Sequence, residues 1–277
     1  MISNLRRQVQ AAACESKIIA GFNIFGAEDA IGIIRAATKR NAPVLLMINK
    51  DALELMPMKS WIDMLKPMIE ESPVPIGIHL DHCSNPDRVI EGIRAGFSSV
   101  MYDGSQLPIE ENIKNIRRVA EVAKAYDTVL EGEIGSVPYA DIPGRAMDMF
   151  TEPEELKRFS EEGEMDWIAV AIGQVHRMQT ASSKINFDSL SELEKCTDKP
   201  LVIHGGSGIS DENIIRLKDY KIGKINIGTA LRIPFFKTLQ NELKENPFIY
   251  DRGVLFERPT LAVENTTDKI LTLLGYE

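Results

Sequence analysis

The chain alternates short apolar runs with longer amphipathic ones. Eight runs read as strands: SKIIAGFN (16–23), APVLLMIN (42–49), VPIGIHLD (74–81), SSVMYD (98–103), DTVLEGEI (127–134), DWIAVAIG (166–173), KPLVIHGG (199–206) and IGKINIG (222–228). Most are apolar on both alternating faces, the pattern of a parallel sheet covered on both sides. Between most of them lie segments with apolar residues at helical spacing. Examples are AEDAIGIIRAATKRN, NPDRVIEGIRAG, PIEENIKNIRRVAEVAKAY, EPEELKRFSEEG and SDENIIRLKDY. Several open on a capping residue and close near Gly or Asn. In the last, Ser210 is the expected N-cap, with Asp211 and Glu212 complementing the helix dipole.

Eight strands alternating with helices predict an α/β fold, a (β/α)8 TIM barrel forming a single domain over residues 1–277. No Ser/Pro/Gly-rich linker divides the chain, and its length is close to the roughly 250 residues such a barrel takes. An open doubly wound sheet would write the same pattern, because closure leaves no mark on hydrophobic periodicity. The barrel reading carries a sharp expectation: chemistry belongs at the C-terminal ends of the strands and in the loops that follow.

Composition narrows the partners. With 32 Lys+Arg against 41 Asp+Glu, the net charge is −9. An acidic chain is poorly suited to nucleic acid or an anionic membrane, where basic patches supply most of the affinity. The three cysteines, Cys14, Cys83 and Cys196, are far apart and form no CxxC pair, which fits a reducing compartment. The N-terminal stretch lacks the apolar core of a signal peptide, and no apolar run approaches the 18 or so residues of a membrane span. The expected location is cytoplasmic, and the expected partner is a small molecule.

The candidate chemistry centres on four histidines, His79, His82, His176 and His204, the only ones in the chain. All fall at or just after the C-terminal end of an expected strand. Imidazole is the commonest neutral metal ligand, and three protein ligands with one open position make a catalytic zinc site. His82, His176 and His204 come from three different strands and can converge from around a barrel rim. His79 and Asp81, two apart on one strand, point together into the mouth. Asp81 directly precedes a candidate ligand, so a carboxylate for proton transfer sits beside the metal.

The stretch His204-Gly205-Gly206-Ser207-Gly208 follows the seventh strand and runs into a helix start. Glycines let backbone approach an anion, and a helix N-terminus offers it free N–H groups. Asn226 and Thr229 stand at the same rim after the eighth strand. Glu131 and Glu133 share a face of the fifth strand, so at least one points into the barrel, partnered either by the metal centre or by a Lys or Arg. Asp103 ends the fourth strand in the same way. The methionines Met56, Met58, Met64 and Met68 read as packing.

Taken together these residues resemble the class II, metal-dependent ketose-bisphosphate aldolases, the fructose- and tagatose-bisphosphate aldolase family. The likeness runs from Gly21-Phe22-Asn23 to the C-terminal helix. Its most specific pieces are His79-Leu80-Asp81-His82, Glu131 to Gly135, Ala171-Ile172-Gly173 with His176, His204 to Gly208, and Lys224-Ile225-Asn226-Ile227. The resemblance implies a barrel that cleaves or forms a carbon–carbon bond of a phosphorylated ketose, giving dihydroxyacetone phosphate and an aldehyde, as in glycolysis. By that likeness His82, His176 and His204 hold one Zn2+, Glu133 is the metal-neighbouring carboxylate, and Asp81 is the acid/base on the aldehyde oxygen. Asn23, Gly205, Gly206, Ser207, Asn226, Ile227, Gly228 and Thr229 bind substrate or its phosphate, with a monovalent cation (Na+ or K+) near by. An acidic loop after the fifth strand, here Ser136 to Gly144, exchanges a proton with the ketose carbon, and Asp141 is its nearest acid. A homodimer or homotetramer is implied as well.

The chain also departs from the family pattern. Arg177 stands where a glycine usually follows the second zinc-type histidine, and it adds a bidentate anion-binding group to the rim. Ala230 replaces an acid, Cys83 replaces a frequent glycine, and the second strand ends in Ile48-Asn49-Lys50 where a small hydroxyl residue is usual. These changes bear on which ketose is bound. Two rivals stay open at this level: metal-assisted hydrolysis, and a non-catalytic barrel that binds a sugar phosphate. Lys50 and Lys224, near the second and eighth strands, leave a Schiff-base mechanism open on placement alone.

Overall fold

The computed structural model describes residues 2–141 and 150–277. Its parallel strands are β1 (Ile19–Asn23), β2 (Val44–Ile48), β3 (Ile76–Cys83), β4 (Ser99–Tyr102), β5 (Val129–Ile134), β6 (Trp167–Val170), β7 (Leu201–Ile203) and β8 (Ile222–Ile227). They pair in chain order and close where β1 meets β8, with Gly21 beside Asn226 and Phe22 beside Ile227. The alternation therefore belongs to a closed TIM barrel and not to an open sheet.

Each of the eight apolar runs contains a strand, but the strands are mostly shorter than the runs, and side chains explain one of the early stops. Beyond Val170 the backbone N–H of Ala171 donates to Thr151 Oγ1 (2.8 Å) and that of Ile172 to Gln174 Oε1 (2.7 Å), so β6 loses its ladder there. Strand β3 instead runs two residues past its expected end. The five helical segments named above appear as Ala27–Lys39, Pro86–Ala95, Ile109–Ala125, Pro153–Glu162 and Asp211–Leu217. Ser210 caps the last, its hydroxyl accepting from Asn213 N–H at 3.3 Å.

Outward-facing strand residues such as Phe22, Ile78, Leu80, Val100, Leu130, Ile168 and Ile203 are buried under the helical layer. Full burial of such a side chain is worth about 1.5–3 kcal/mol over exposure. Helix Arg252–Leu273 crosses Ala27–Lys39 closely at Gly32, where a Cβ would lie 2.8 Å from the Thr260 carbonyl oxygen. The crossing is fastened by a two-pronged bond from Arg40 to Asp268, both contacts at 2.7 Å.

The inward-facing residues divide by height. At the N-terminal end of the barrel Ile19, Leu45, Met47, Val129, Trp167, Ala169 and Val202 form an apolar floor. Helix Ile2–Ala12 plugs it from outside with Leu5, Val9 and Ala12. Polar and charged side chains begin one step higher, towards the strand C-termini. Among the described residues no helix is long and apolar enough to cross a membrane.

Candidate active site

Strand β3 supplies the first two groups. A regular strand would put Asp81 and His82 on opposite faces. Here the β3–β4 ladder slips between Leu80 and Cys83, and His82 takes a left-handed backbone conformation (φ 48°). Such a bulge re-aims a side chain, and both groups reach the barrel mouth. His176 arrives on the loop after β6, and His204 directly follows β7. One ligand nitrogen from each of His82, His176 and His204 lies within 4.8 Å of the others. His82 Nε2 and His204 Nδ1 lie 2.9 Å apart.

The surroundings fix these rings. His82 Nδ1 meets Asp103 Oδ2 at 3.0 Å, and His204 Nε2 meets Glu131 Oε1 at 2.9 Å. The His176 ring stacks on Tyr139, with centroids 4.6 Å apart. Burial, and then the charge on His82, hold His176 and His204 well below the ordinary imidazole range, which keeps them neutral. Burial opposes charge on His82 too, but Asp81 and the Asp103 hydrogen bond outweigh it and lift this imidazole well above its usual range. Asp103 in turn is held below the carboxylate range: burial works against it, and the His82 contact wins.

The donor set fits a divalent cation. His176 Nε2 and Glu133 Oε2 are buried without any hydrogen-bond partner, an arrangement that costs free energy unless something else meets those atoms. Glu133 Oε2 lies 3.6 Å from His82 Nδ1 and 3.9 Å from His204 Nδ1. Burial, and then the nearby Asp103, push its carboxyl well above the usual range. A cation would relieve both strains at once. His82, Asp103 and Glu133 form a second cluster within the same span.

Asp81 is buried and held by two amides: Asn23 Nδ2 donates to one oxygen at 2.8 Å and Asn226 Nδ2 to the other at 3.1 Å. Burial raises its pKa, but the neighbouring His82, His204 and Lys224 more than reverse that, so the carboxylate is ionised. Asn23 and Asn226, read from the sequence as substrate contacts, thus orient the carboxylate here. Across the mouth, Gly205 adopts φ 65°, and a Cβ there would meet the Val175 carbonyl oxygen at 2.7 Å. The turn Gly206–Gly208 carries Ser207 to the start of helix Thr229–Glu245. There Ser207 Oγ accepts from Gly228 N–H (3.2 Å) and Ala230 N–H (3.0 Å). Gly205, Gly206, Ser207, Ile227, Gly228 and Thr229 therefore gather at one helix N-terminus, a suitable seat for an anion.

Arg177 sits where the likeness expects glycine, and it keeps a glycine-like backbone (φ 58°). Its guanidinium bridges Asp141 (2.9 Å) and Asp51 (2.8 Å), and it lies 5.3 Å above the Tyr139 ring. Asp141 is therefore paired with Arg177 and does not join the imidazoles. Of the loop Ser136 to Gly144, Ile142, Pro143 and Gly144 lie outside the described residues. Arg232 stands at the same rim, bonded to Thr229 Oγ1 at 3.1 Å and set over Phe25. Burial and the nearby Arg177 lower its pKa.

Sequence reading passed over Asp51, Tyr139 and Arg232. None carries a local signal, since each acquires its place through residues distant in sequence. It left the partner of Glu131 open, and the fold supplies two: His204 and the ammonium of Lys224, at 2.7 Å and fully buried. Lys50 is exposed at the start of a short helix.

Known proteins resemble the chain in both sequence and fold. The family profile described as Fructose-bisphosphate aldolase class-II matches residues 3–277. The chain is 33% identical over 238 residues to the sulfofructosephosphate aldolase of Alkalicoccus urumqiensis, covering 84% of this chain and 82% of that one. It is 34% identical over 235 residues to the fructose-bisphosphate aldolase of Geobacillus stearothermophilus, covering 83% and 82%. The crystal structure of the YdjI aldolase from Escherichia coli K12 superposes with a TM-score of 0.84 at 26% identity, covering 98% of this chain and 96% of that one. On the match along the chain and these relatives, the protein belongs to the class II fructose-bisphosphate aldolase family of carbon–carbon lyases.

Proposed function

We propose that the chain is one barrel domain that cleaves a phosphorylated ketose reversibly to dihydroxyacetone phosphate and an aldehyde, with zinc held by His82, His176 and His204 and Glu133 beside it. The observation that carries this reading is the convergence of three imidazoles, two of them held neutral, next to an ionised carboxylate. A divalent ion held there would supply Lewis acidity to the ketose oxygens that become negative as the carbon–carbon bond breaks, a contribution of several kcal/mol. Asp81 takes the proton from the hydroxyl of the departing aldehyde half, while Asn23 and Asn226 fix its direction. The bonding pair stays on the carbon of the dihydroxyacetone half. Asp141, once released from Arg177, returns a proton to that carbon. Gly205, Gly206, Ser207 and the segment Asn226 to Thr229 hold the phosphate at the helix N-terminus, with a monovalent cation close to it.

Arg177 and Arg232 at the rim favour a ketose with an anionic group at its far end as well. Relatives named for fructose bisphosphate and for sulfofructose phosphate make both a phosphate and a sulfonate candidates for that group. Exposed Phe236, Phe248 and Tyr250 near the C-terminus offer apolar surface for a homodimer or homotetramer. The reading places the enzyme in sugar-phosphate breakdown in the cytoplasm. Coupled detection of dihydroxyacetone phosphate from fructose, tagatose and sulfofructose phosphates, with and without chelator, is the test. Product release abolished by chelator and restored by zinc supports the proposal; release that ignores metal removal contradicts it.

A further inference from the structure

Beneath the three histidines lies a charged pair that the cleavage chemistry does not use. Glu131 on β5 and Lys224 on β8 are both fully buried, and Lys224 Nζ donates to Glu131 Oε2 at 2.7 Å. The other carboxylate oxygen lies 2.9 Å from Nε2 of His204. His79 Nε2 is 3.8 Å from Glu131, too long for a hydrogen bond, and its other nitrogen is engaged at 2.8 Å with Ser99 Oγ. Both oxygens of Glu131 are thus committed, one to His204 and one to Lys224.

Burying two charges is costly, and well-packed apolar residues in their place are often no less stable. Trp167 of the apolar floor is the neighbour of Glu131 across the β5–β6 ladder, so hydrophobic filling was available at this height. The pair calls for a reason other than stability. A neutral imidazole carries its proton on one nitrogen or the other, and a carboxylate can only accept. A carboxylate at Nε2 therefore selects the Nε2–H form and leaves the lone pair on Nδ1. Nδ1 is the atom that lies 2.9 Å from His82 Nε2, facing the cluster. Lys224 supplies the counter-charge and holds the second oxygen, which fixes the carboxylate plane against the ring.

We propose that Glu131 and Lys224 are positioning residues: a buried ion pair that sets the tautomer of His204 and aims its Nδ1 at the point shared with His82 and His176. The inference rests on reading those histidines as a metal centre.

The protein holds only four imidazoles, so long-range 15N–1H spectra of histidine-labelled protein can follow each one. In the metal-free wild type, His204 should be protonated at Nε2, and zinc titration should move its Nδ1 resonance. The double variant Glu131→Met/Lys224→Met removes both charges and strands neither. It should show His204 in mixed tautomers, with zinc affinity in chelator competition reduced about 10–100-fold. Zinc binding through Nε2 of His204 in the wild type would overturn the proposal, as would a folded double variant with unchanged tautomer and affinity. If the double variant does not fold, the wild-type tautomer decides alone. Zinc that perturbs none of the imidazoles overturns the metal reading itself, a result distinct from zinc that binds through the wrong nitrogen.

Discussion

The floor and the mouth of the barrel are built from the same strands, two residues apart, and they are chemically opposite. On β5 the inward series is Val129, Glu131, Glu133; on β7 it is Val202, then His204; on β8 a register slip turns Ile222 outward and leaves Gly223 against Val9 at the floor, with Lys224 and Asn226 inward above it. The lower positions are apolar and sealed by the N-terminal helix. The upper positions carry charge, and most of those side chains are held by partners from other strands. The floor obtains stability from apolar area alone, without directional contacts. The mouth places ionisable groups in a low dielectric, where each must be matched or its protonation shifts. Variants in the floor should therefore change stability and spare chemistry, and variants in the mouth should do the reverse.

The largest separation is expected from His176→Ala. Its ring packs on Tyr139 and its Nε2 has no protein partner, so the fold should survive while turnover falls roughly 10³-fold or more, the value of several kcal/mol of lost charge stabilisation. Zinc stoichiometry and the aldolase assay, measured together, check this. Next, Asp81→Ala should keep its zinc yet lose about 10²–10⁴-fold in kcat, the usual contribution of a positioned acid/base. Full activity in that variant would remove Asp81 from the mechanism.

From the floor, Trp167→Ala should cost about 3–5 kcal/mol in denaturant unfolding, with the specific activity of the folded fraction unchanged. A loss of kcat without a loss of stability would erase the distinction between the two regions. Arg177→Gly suits the left-handed backbone at that position and removes the guanidinium. It should raise KM about 10-fold for a ketose anionic at both ends and leave a ketose with a neutral far end nearly unaffected. The smallest effect is remote from both regions. Asp268, beside Arg40, has its pKa held down to about 2 by that hydrogen bond. A carboxyl lowered on folding adds stability at neutral pH, and this contribution fades as pH falls from about 4 towards 2. The Asp268→Asn variant should lose about 0.5–1 kcal/mol at pH 7 and show a flatter acid limb.

Much of the barrel was legible in the chain because its signals are local. Apolar runs, most of them apolar on both faces, marked all eight strands, Ser210 capped the expected helix, and the histidines stood at or after strand C-termini. The features that escaped depend on distant partners. Period-two reading puts Asp81 and His82 on opposite faces, and only the bulge against β4 brings them together. The Lys224–Glu131 pair joins residues 93 apart, and the Arg177–Asp51 pair residues 126 apart. The early end of β6 reflects side chains of Thr151 and Gln174 competing for the ladder. Residues named for substrate, Asn23 and Asn226, carry a second task in holding Asp81, which spacing alone does not reveal.

The account turns on three imidazoles sharing one ion beside Asp81. Anomalous diffraction at the zinc edge, from crystals of the zinc-loaded protein, tests this directly. The account predicts a single strong peak within bonding distance of His82, His176 and His204. A peak elsewhere, or a density map in which these three rings point apart around no ion, would contradict it.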